Sequence, residues 1–225
     1  VPVVVCSGSG ASFAVSANGS PAPTYQWRKN AVNIGGETAS SLTIAAAMNA
    51  DVGLYDCVVT NSCGSATSAA ASLTVNVAPA ISSPPVPVAV CAGSPALLSV
   101  SASGSPAPTY QWRKGGVPIS GATASTLNIA SAASSDGGSY DCVVTNSCGS
   151  ATSLSASVTV NIAPAVTTDP LSRSTCEGSP VVLSLTASGT PAPGYQWRRG
   201  GTDIGGATAS TYTIASAAIS DQGTY

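Results

Sequence analysis

The sequence has no histidine, one phenylalanine and one methionine among its 225 residues, and only 7% of it is charged. Without histidine a hydrolytic triad lacks its usual base, and a zinc site of mixed cysteine and histidine ligands cannot be built. Acidic side chains are limited to Glu37, Glu177 and seven scattered aspartates, most of them beside turn residues. Facing carboxylate pairs for glycoside chemistry are therefore not expected. No Asp-x-Asp-x-Asp run marks a calcium loop. Seven Lys and Arg against nine Asp and Glu give no basic stripe to neutralise a phosphate backbone, which excludes nucleic acid as an expected partner. No apolar run approaches the ~20 residues that cross a bilayer. The first residues, Val1-Pro-Val-Val-Val5, read as a strand and not as a leader, so any export signal is expected to lie outside this sequence. These absences together predict a non-enzyme with no cofactor and no metal.

What is present suits β-structure. The sequence is 44% hydrophobic, with 23 Gly and 16 Pro, and it is rich in Ala, Ser, Thr and Val. Small and β-branched residues fit strands, and Gly and Pro fit the turns between them. A net charge of −2 cannot hold the chain open by self-repulsion, so it should fold.

A repeat governs the organisation. Pro21-Ala-Pro-Thr-Tyr-Gln-Trp-Arg-Lys29 returns unchanged at Pro106 and, with Gly194 and Arg199 substituted, at Pro191, an interval of 106 − 21 = 85 residues. Cys6, Cys91 and Cys176 keep the interval, and Tyr55 to Ser68 recurs letter for letter as Tyr140 to Ser153. Three units are expected, at 1–78, 79–163 and 164–225. The first would lack part of its first strand, and the third would stop at Tyr225, the counterpart of Tyr140, so the chain reads as a window on a longer polymer. Between units stand Ala78-Pro-Ala80 and Ala163-Pro-Ala165, placed just after the strand-like runs Leu73–Val77 and Val158–Ile162. Proline restricts both itself and its predecessor, so these joints should be stiff.

Within a unit, the runs 12–17, 24–28, 41–45, 54–60 and 68–77 have strand composition or alternation, with turn residues between them. Ala45 to Ala50 is the nearest approach to a helix and is short. An all-β sandwich follows.

The order Gly-x-Pro-x-Pro, Tyr-x-Trp-x-Lys, Leu-x-Ile, Asp-x-Gly-x-Tyr-x-Cys, Asn-x-x-Gly resembles the intermediate-set immunoglobulin fold. It is most similar to the tandem immunoglobulin-like repeats of large secreted bacterial surface, adhesin and fibre proteins. The resemblance implies that Trp27, Trp112 and Trp197 are the buried tryptophans of strand C, and that Tyr55, Tyr140 and Tyr225 form tyrosine corners before strand F. Asp51, Asp136 and Asp221 would open the preceding turns. Tyr25 beside Trp27 suggests a sugar-stacking platform as an alternative, but alternation sends both rings to the core face. Arg28 with Asp56, and Arg113 with Asp141, would project outward from neighbouring strands as a cross-strand pair. A Lys-based isopeptide bond is disfavoured, because Arg199 stands where Lys29 and Lys114 do.

The cysteines depart from the family pattern. Val15, Val100 and Leu185 occupy the position of the strand B cysteine, so Cys57 and Cys142 lose the partner that the fold would give them and read as buried free thiols. Cys6, Cys63, Cys91, Cys148 and Cys176 remain as disulfide candidates. In the resembled topology Cys6 lies at one pole of the domain and Cys63 on the hairpin at the other, whereas a disulfide needs Cα atoms within about 7 Å. Two pairings stay open: Cys6 with Cys148 across the first joint, matched by Cys91 with the hairpin cysteine of the third unit, or Cys6 with Cys63 inside one unit. Cys6 with Cys57 is a third and less favoured reading.

The expected function is a structural repeat of an extracellular or cell-surface fibre, filament, sheath or adhesin stalk, with copies of itself as partners and disulfides as stiffeners. The alternative is a cell-surface ectodomain that binds a protein or glycan.

Overall fold

The computed structural model describes residues 1–225, and its regular structure is β-strand apart from three one-turn 3-10 helices. The first repeat supplies β1 (Val3–Cys6), β2 (Ala11–Ala14), β3 (Thr24–Lys29), β4 (Val32–Asn33), β5 (Ser41–Ile44), β6 (Gly53–Asn61), β7 (Gly64–Thr67) and β8 (Ala71–Ser83). One sheet runs β1-β8-β6-β3-β4, with β7 paired to β6, and a second small sheet is β2-β5. β1 pairs parallel to β8, Val3 opposite Leu73 through Cys6 opposite Asn76.

Side chains alternate across a strand, so Trp27 and Tyr25 fall on the inner face of β3 and Arg28 on the outer. Trp27 is 3% exposed and lies opposite Cys57 of β6, which is fully buried. From the other sheet Phe13 stacks on Tyr55 at 4.8 Å and sits 6.2 Å from Trp27. Leu42, Leu73 and Val75 complete the core, with Val15 packed at its edge. Burying side chains of this size is worth about 1.5–3 kcal/mol each. The Ala-rich stretch near residue 45 gives only the turn Asn49–Asp51, in which the Asp51 carboxylate accepts the Met48 N–H at 2.8 Å.

The second repeat supplies β9 (Val88–Cys91), β10 (Ala96–Ser99), β11 (Ser101–Ser105), β12 (Thr109–Lys114), β13 (Val117–Pro118), β14 (Thr126–Ile129), β15 (Gly138–Asn146), β16 (Gly149–Thr152) and β17 (Ala156–Thr168). Its registers copy the first: Trp112 opposite Cys142, Arg113 opposite Asp141, and β9 parallel to β17 from Val88 opposite Val158 to Cys91 opposite Asn161. The third repeat contributes β18 (Val181–Ser184), β19 (Thr186–Thr190), β20 (Arg198–Arg199), β21 (Thr202–Asp203) and β22 (Thr211–Ile214). β18 pairs with β22 and β20 with β21. The peptide bonds before Pro21, Pro106 and Pro191 are cis.

The chain gathers into two compact units. One comprises Val1–Pro85, Ser99–Leu127 and Tyr140–Ser155, and the other Val86–Leu98, Asn128–Ser139 and Ala156–Tyr225. The first unit thus holds the whole first repeat together with strands of the second. Two contacts inside that unit account for the grouping: β11 pairs antiparallel to β8, and Cys6 is bonded to Cys148.

Two differences from the sequence pattern bear on function. The run expected over 68–77 becomes a strand only from Ala71, after β7 has ended at Thr67, and β8 does not end at Val77 but continues through Pro79 to Ser83. β17 likewise passes through Pro164 to Thr168. The joints are thirteen-residue strands, not connectors.

Candidate functional site: the joint and its two poles

The first joint is assembled from four short sequence features. Ser7-Gly8 forms a turn closed by the Ser9 N–H donating to the Cys6 carbonyl at 2.9 Å, and Gly8 supplies the positive φ of 84° that its third position requires. The same turn follows Cys91 and Cys176, with Gly93 and Gly178 also at 84°. This turn fixes each of these cysteines at the end of its segment. On the other side, the Cys148 N–H donates to Asn146 Oδ1 at 2.8 Å, which orders the hairpin between β15 and β16. Cys6 and Cys148 form a disulfide with Cα atoms 5.6 Å apart.

β8 and β11 bring the strands together. Ser101, Ala102, Ser103 and Ser105 lie opposite Ser83, Ile81, Ala80 and Val77, with a register shift between Ser103 and Ser105. Pro79 has no N–H to offer a ladder, and the shift places it where none is needed. Gly104 makes the close approach possible: a Cβ there would stand 3.3 Å from Pro79 Cα and 3.4 Å from the Val77 carbonyl oxygen. Asn146 Nδ2 then donates to Val77 O at 2.8 Å and to Pro106 O at 3.0 Å. The second joint repeats the pairing, with Thr186 to Thr190 opposite Thr168 to Ile162 and Gly189 equally close to Pro164.

The other cysteines stay apart. Cys63, Cys91 and Cys176 are exposed free thiols, and Cys57 and Cys142 are buried free thiols. Burial pushes the thiol pKa of Cys57 and Cys142 above its ordinary value. The Cys57 N–H donates to Ser68 Oγ at 3.0 Å and the Cys142 N–H to Ser153 Oγ at 2.9 Å.

The aromatic signature is internally satisfied. Trp27, Trp112 and Trp197 each donate their indole N–H to a carbonyl twelve residues on, those of Ala39, Ala124 and Ala209, at 2.9–3.0 Å. Tyr55 and Tyr225 donate to the carbonyls of Asp51 and Asp221 at 2.7 and 2.8 Å. Tyr140 is buried. Desolvation raises the Tyr55 pKa. Outside the core, Arg28 grips Asp56 through two nitrogens at 2.7 and 2.8 Å, and Arg113 does the same with Asp141 at 2.7 Å. Arg198 instead meets Asp203 at 3.1 Å. The indoles and the Arg–Asp pairs thus find their partners within the fold. What the arrangement can do is hold one repeat on the next.

Gly104 and Asn146 enter the sequence pattern only as members of Gly-x-Pro-x-Pro and Asn-x-x-Gly, which do not foretell that they receive β8 beside β11. Their signal was the recurrence of Gly19, Gly104 and Gly189, and of Asn61 and Asn146, at the repeat interval.

No helix of the protein is long and apolar enough to cross a membrane, a statement that does not extend to β-barrels. Compared with known proteins, residues 78–146 and 163–225 match an immunoglobulin domain family, and residues 1–75 match the immunoglobulin I-set domain. Among curated relatives, Hemicentin-1 of Mus musculus is 31% identical over 93% of this chain, and Endoglucanase C of Cellulomonas fimi is 35% identical over 71% of it. The chain spans only 4% and 15% of those two proteins. The relatives include animal and bacterial proteins, so the matches show the immunoglobulin family and leave the bacterial branch expected from sequence unsupported. The I-band fragment I67–I69 of titin superposes with a TM-score of 0.81 at 22% identity, covering 99% of this chain and 88% of the fragment, which shows the fold.

Proposed function

Because the chain belongs to the immunoglobulin domain family, a fold that is in general non-enzymatic, we propose that it is a structural repeat of an extracellular fibre, sheath or adhesin stalk. The observation that carries this reading is the first joint, where one continuous strand and the Cys6–Cys148 bond replace a flexible linker. A joint of this kind transmits orientation from one repeat to the next, which a Gly/Ser tether does not. Disulfides persist in oxidising compartments, which supports a location outside the cell or on its surface. We take the repeat units as 1–78, 79–163 and 164–225, and further copies of the unit as the partners.

Loop composition supports the same reading. The outer loops are built mostly of Ala, Gly, Ser and Thr and are nearly the same in each repeat, whereas recognition surfaces concentrate aromatic and charged side chains that differ from the scaffold. The name of the Cellulomonas relative does not bring its activity here, since the match covers a small share of that protein.

Electron microscopy of the native material, with and without reductant, tests the proposal. Long fibres with an axial repeat of one or a few domains, loosened by reductant, are expected. Short monodisperse rods indifferent to reductant would overturn it in favour of a ligand-binding ectodomain.

A further inference from the structure

The strand Ser101–Ser105 exists because β8 lies beside it. The equivalent residues of the first repeat, Ser16-Ala-Asn-Gly-Ser20, are not in a strand, and no joint strand lies against them. Next to them lies an open groove of about 440 Å³ between Val15–Asn18 and the hairpin of β6 and β7, lined by Pro23, Val59, Asn61 and Cys63.

The devices that receive β8 in the second repeat recur here. Asn61 donates to Pro21 O at 3.0 Å as Asn146 does to Pro106, but has no counterpart of the Asn146 bond to Val77. Asn61 also accepts the Cys63 N–H at 2.9 Å, as Asn146 accepts that of Cys148. A Cβ on Gly19 would meet Asn61 Nδ2 at 3.1 Å, as one on Gly104 would meet Asn146 Nδ2 at 3.1 Å, but no joint backbone lies within 4 Å. Cys63, the counterpart of disulfide-bonded Cys148, is an exposed thiol.

We propose that this groove is a docking site for the extended joint strand, of the type Val-Ala-Pro-Ala, of another copy of the repeat unit. Asn61 sets the register by donating to the carbonyl before the Ala-Pro pair. Gly19 leaves room for the proline backbone, and Cys63 stands where the donor's own Cys6 arrives. The occupant is assigned from the molecule itself, because the same Gly, Asn and Cys constellation holds that strand in the second repeat, with Ser103 where Asn18 stands here. The proposal rests on the head-to-tail reading above and names the site through which it operates.

The test uses the full chain and a fluorescein-labelled synthetic peptide with the sequence of Leu73–Pro85. A short tether supplies an effective concentration on the order of millimolar, so the free peptide is titrated into that range by fluorescence anisotropy. Saturable one-site binding is expected, with iodoacetamide labelling slowed at Cys63 and unchanged at Cys91 and Cys176. Asn61→Ala should weaken binding roughly fivefold through loss of one hydrogen bond, and Gly19→Val should abolish it. No saturation, equal binding of a scrambled peptide, or indifference to both variants would overturn the site. Reductant-sensitive fibres without peptide binding would sink this site alone, whereas peptide binding without fibres would uphold the site and count against the fibre reading.

Discussion

Cys57 shows how one side chain answers to its surroundings. It faces Trp27 across two strands, is fully buried, and has a thiol that burial holds in the neutral form. A folded pKa raised above the unfolded value gives stability that is complete below the ordinary thiol range, about 8.5, and is lost as pH rises through the raised folded value. Cys142 and Tyr55 shift in the same direction. With Cys63, Cys91 and Cys176 first capped by iodoacetamide, the melting temperature should fall on the alkaline side, and Cys57→Ala with Cys142→Ala should flatten that fall. The capping is itself a check: peptide mass spectrometry should find those three residues labelled in the native protein, and Cys57 and Cys142 labelled only after denaturation. Tyr55→Phe removes the bond to Asp51 O and should cost about 1 kcal/mol in thermal or urea unfolding. At this scale the sequence was largely readable. Trp27, Tyr55 and Asp51 belong to a spacing that leaves each few alternatives, and the carbonyls to which Trp27 and Tyr55 donate are local, twelve residues away at most.

Among the elements, β8 was the least legible. Its first half alternates, Leu73 and Val75 inward, and could be read as a strand. Its second half contains Pro79, which by local rules ends a strand, and its partner Ser101–Ser105 stands some twenty residues further on in the next repeat, with no apolar alternation of its own. A local pattern cannot announce a strand whose reason for existing is a distant neighbour. Gly104 is the point at which this pairing can be broken. Gly104→Val places side-chain atoms against Pro79 and Val77 backbone, which cannot yield as a flexible side chain would. Overpacking of that kind costs about 1–3 kcal/mol, and hydrogen exchange should accelerate at Ala80, Ile81 and Ser83 while the amides of β3 and β6 keep their protection.

For the molecule as a whole, the pairing of the cysteines depended on which poles meet, and the sequence left Cys6–Cys148 and Cys6–Cys63 both open. Strand assignment alone cannot choose between them, because the choice lies in how β8 leaves one repeat and β11 of the next receives it. The Cys6–Cys148 bond joins residues 142 apart in sequence, and that separation has a mechanical meaning. A tensile load applied at Val1 reaches Cys6, crosses a single covalent bond to Cys148, and bypasses everything between. The residues between, which are the rest of the first repeat and most of the second, therefore carry no tension while the bond is intact, and their unfolding yields no slack. In a pulling experiment on the chain, reduction should expose a hidden extension of roughly 500 Å, about 3.5 Å for each sheltered residue. A loop closed in this way adds width without bearing the load, which passes through sulfur.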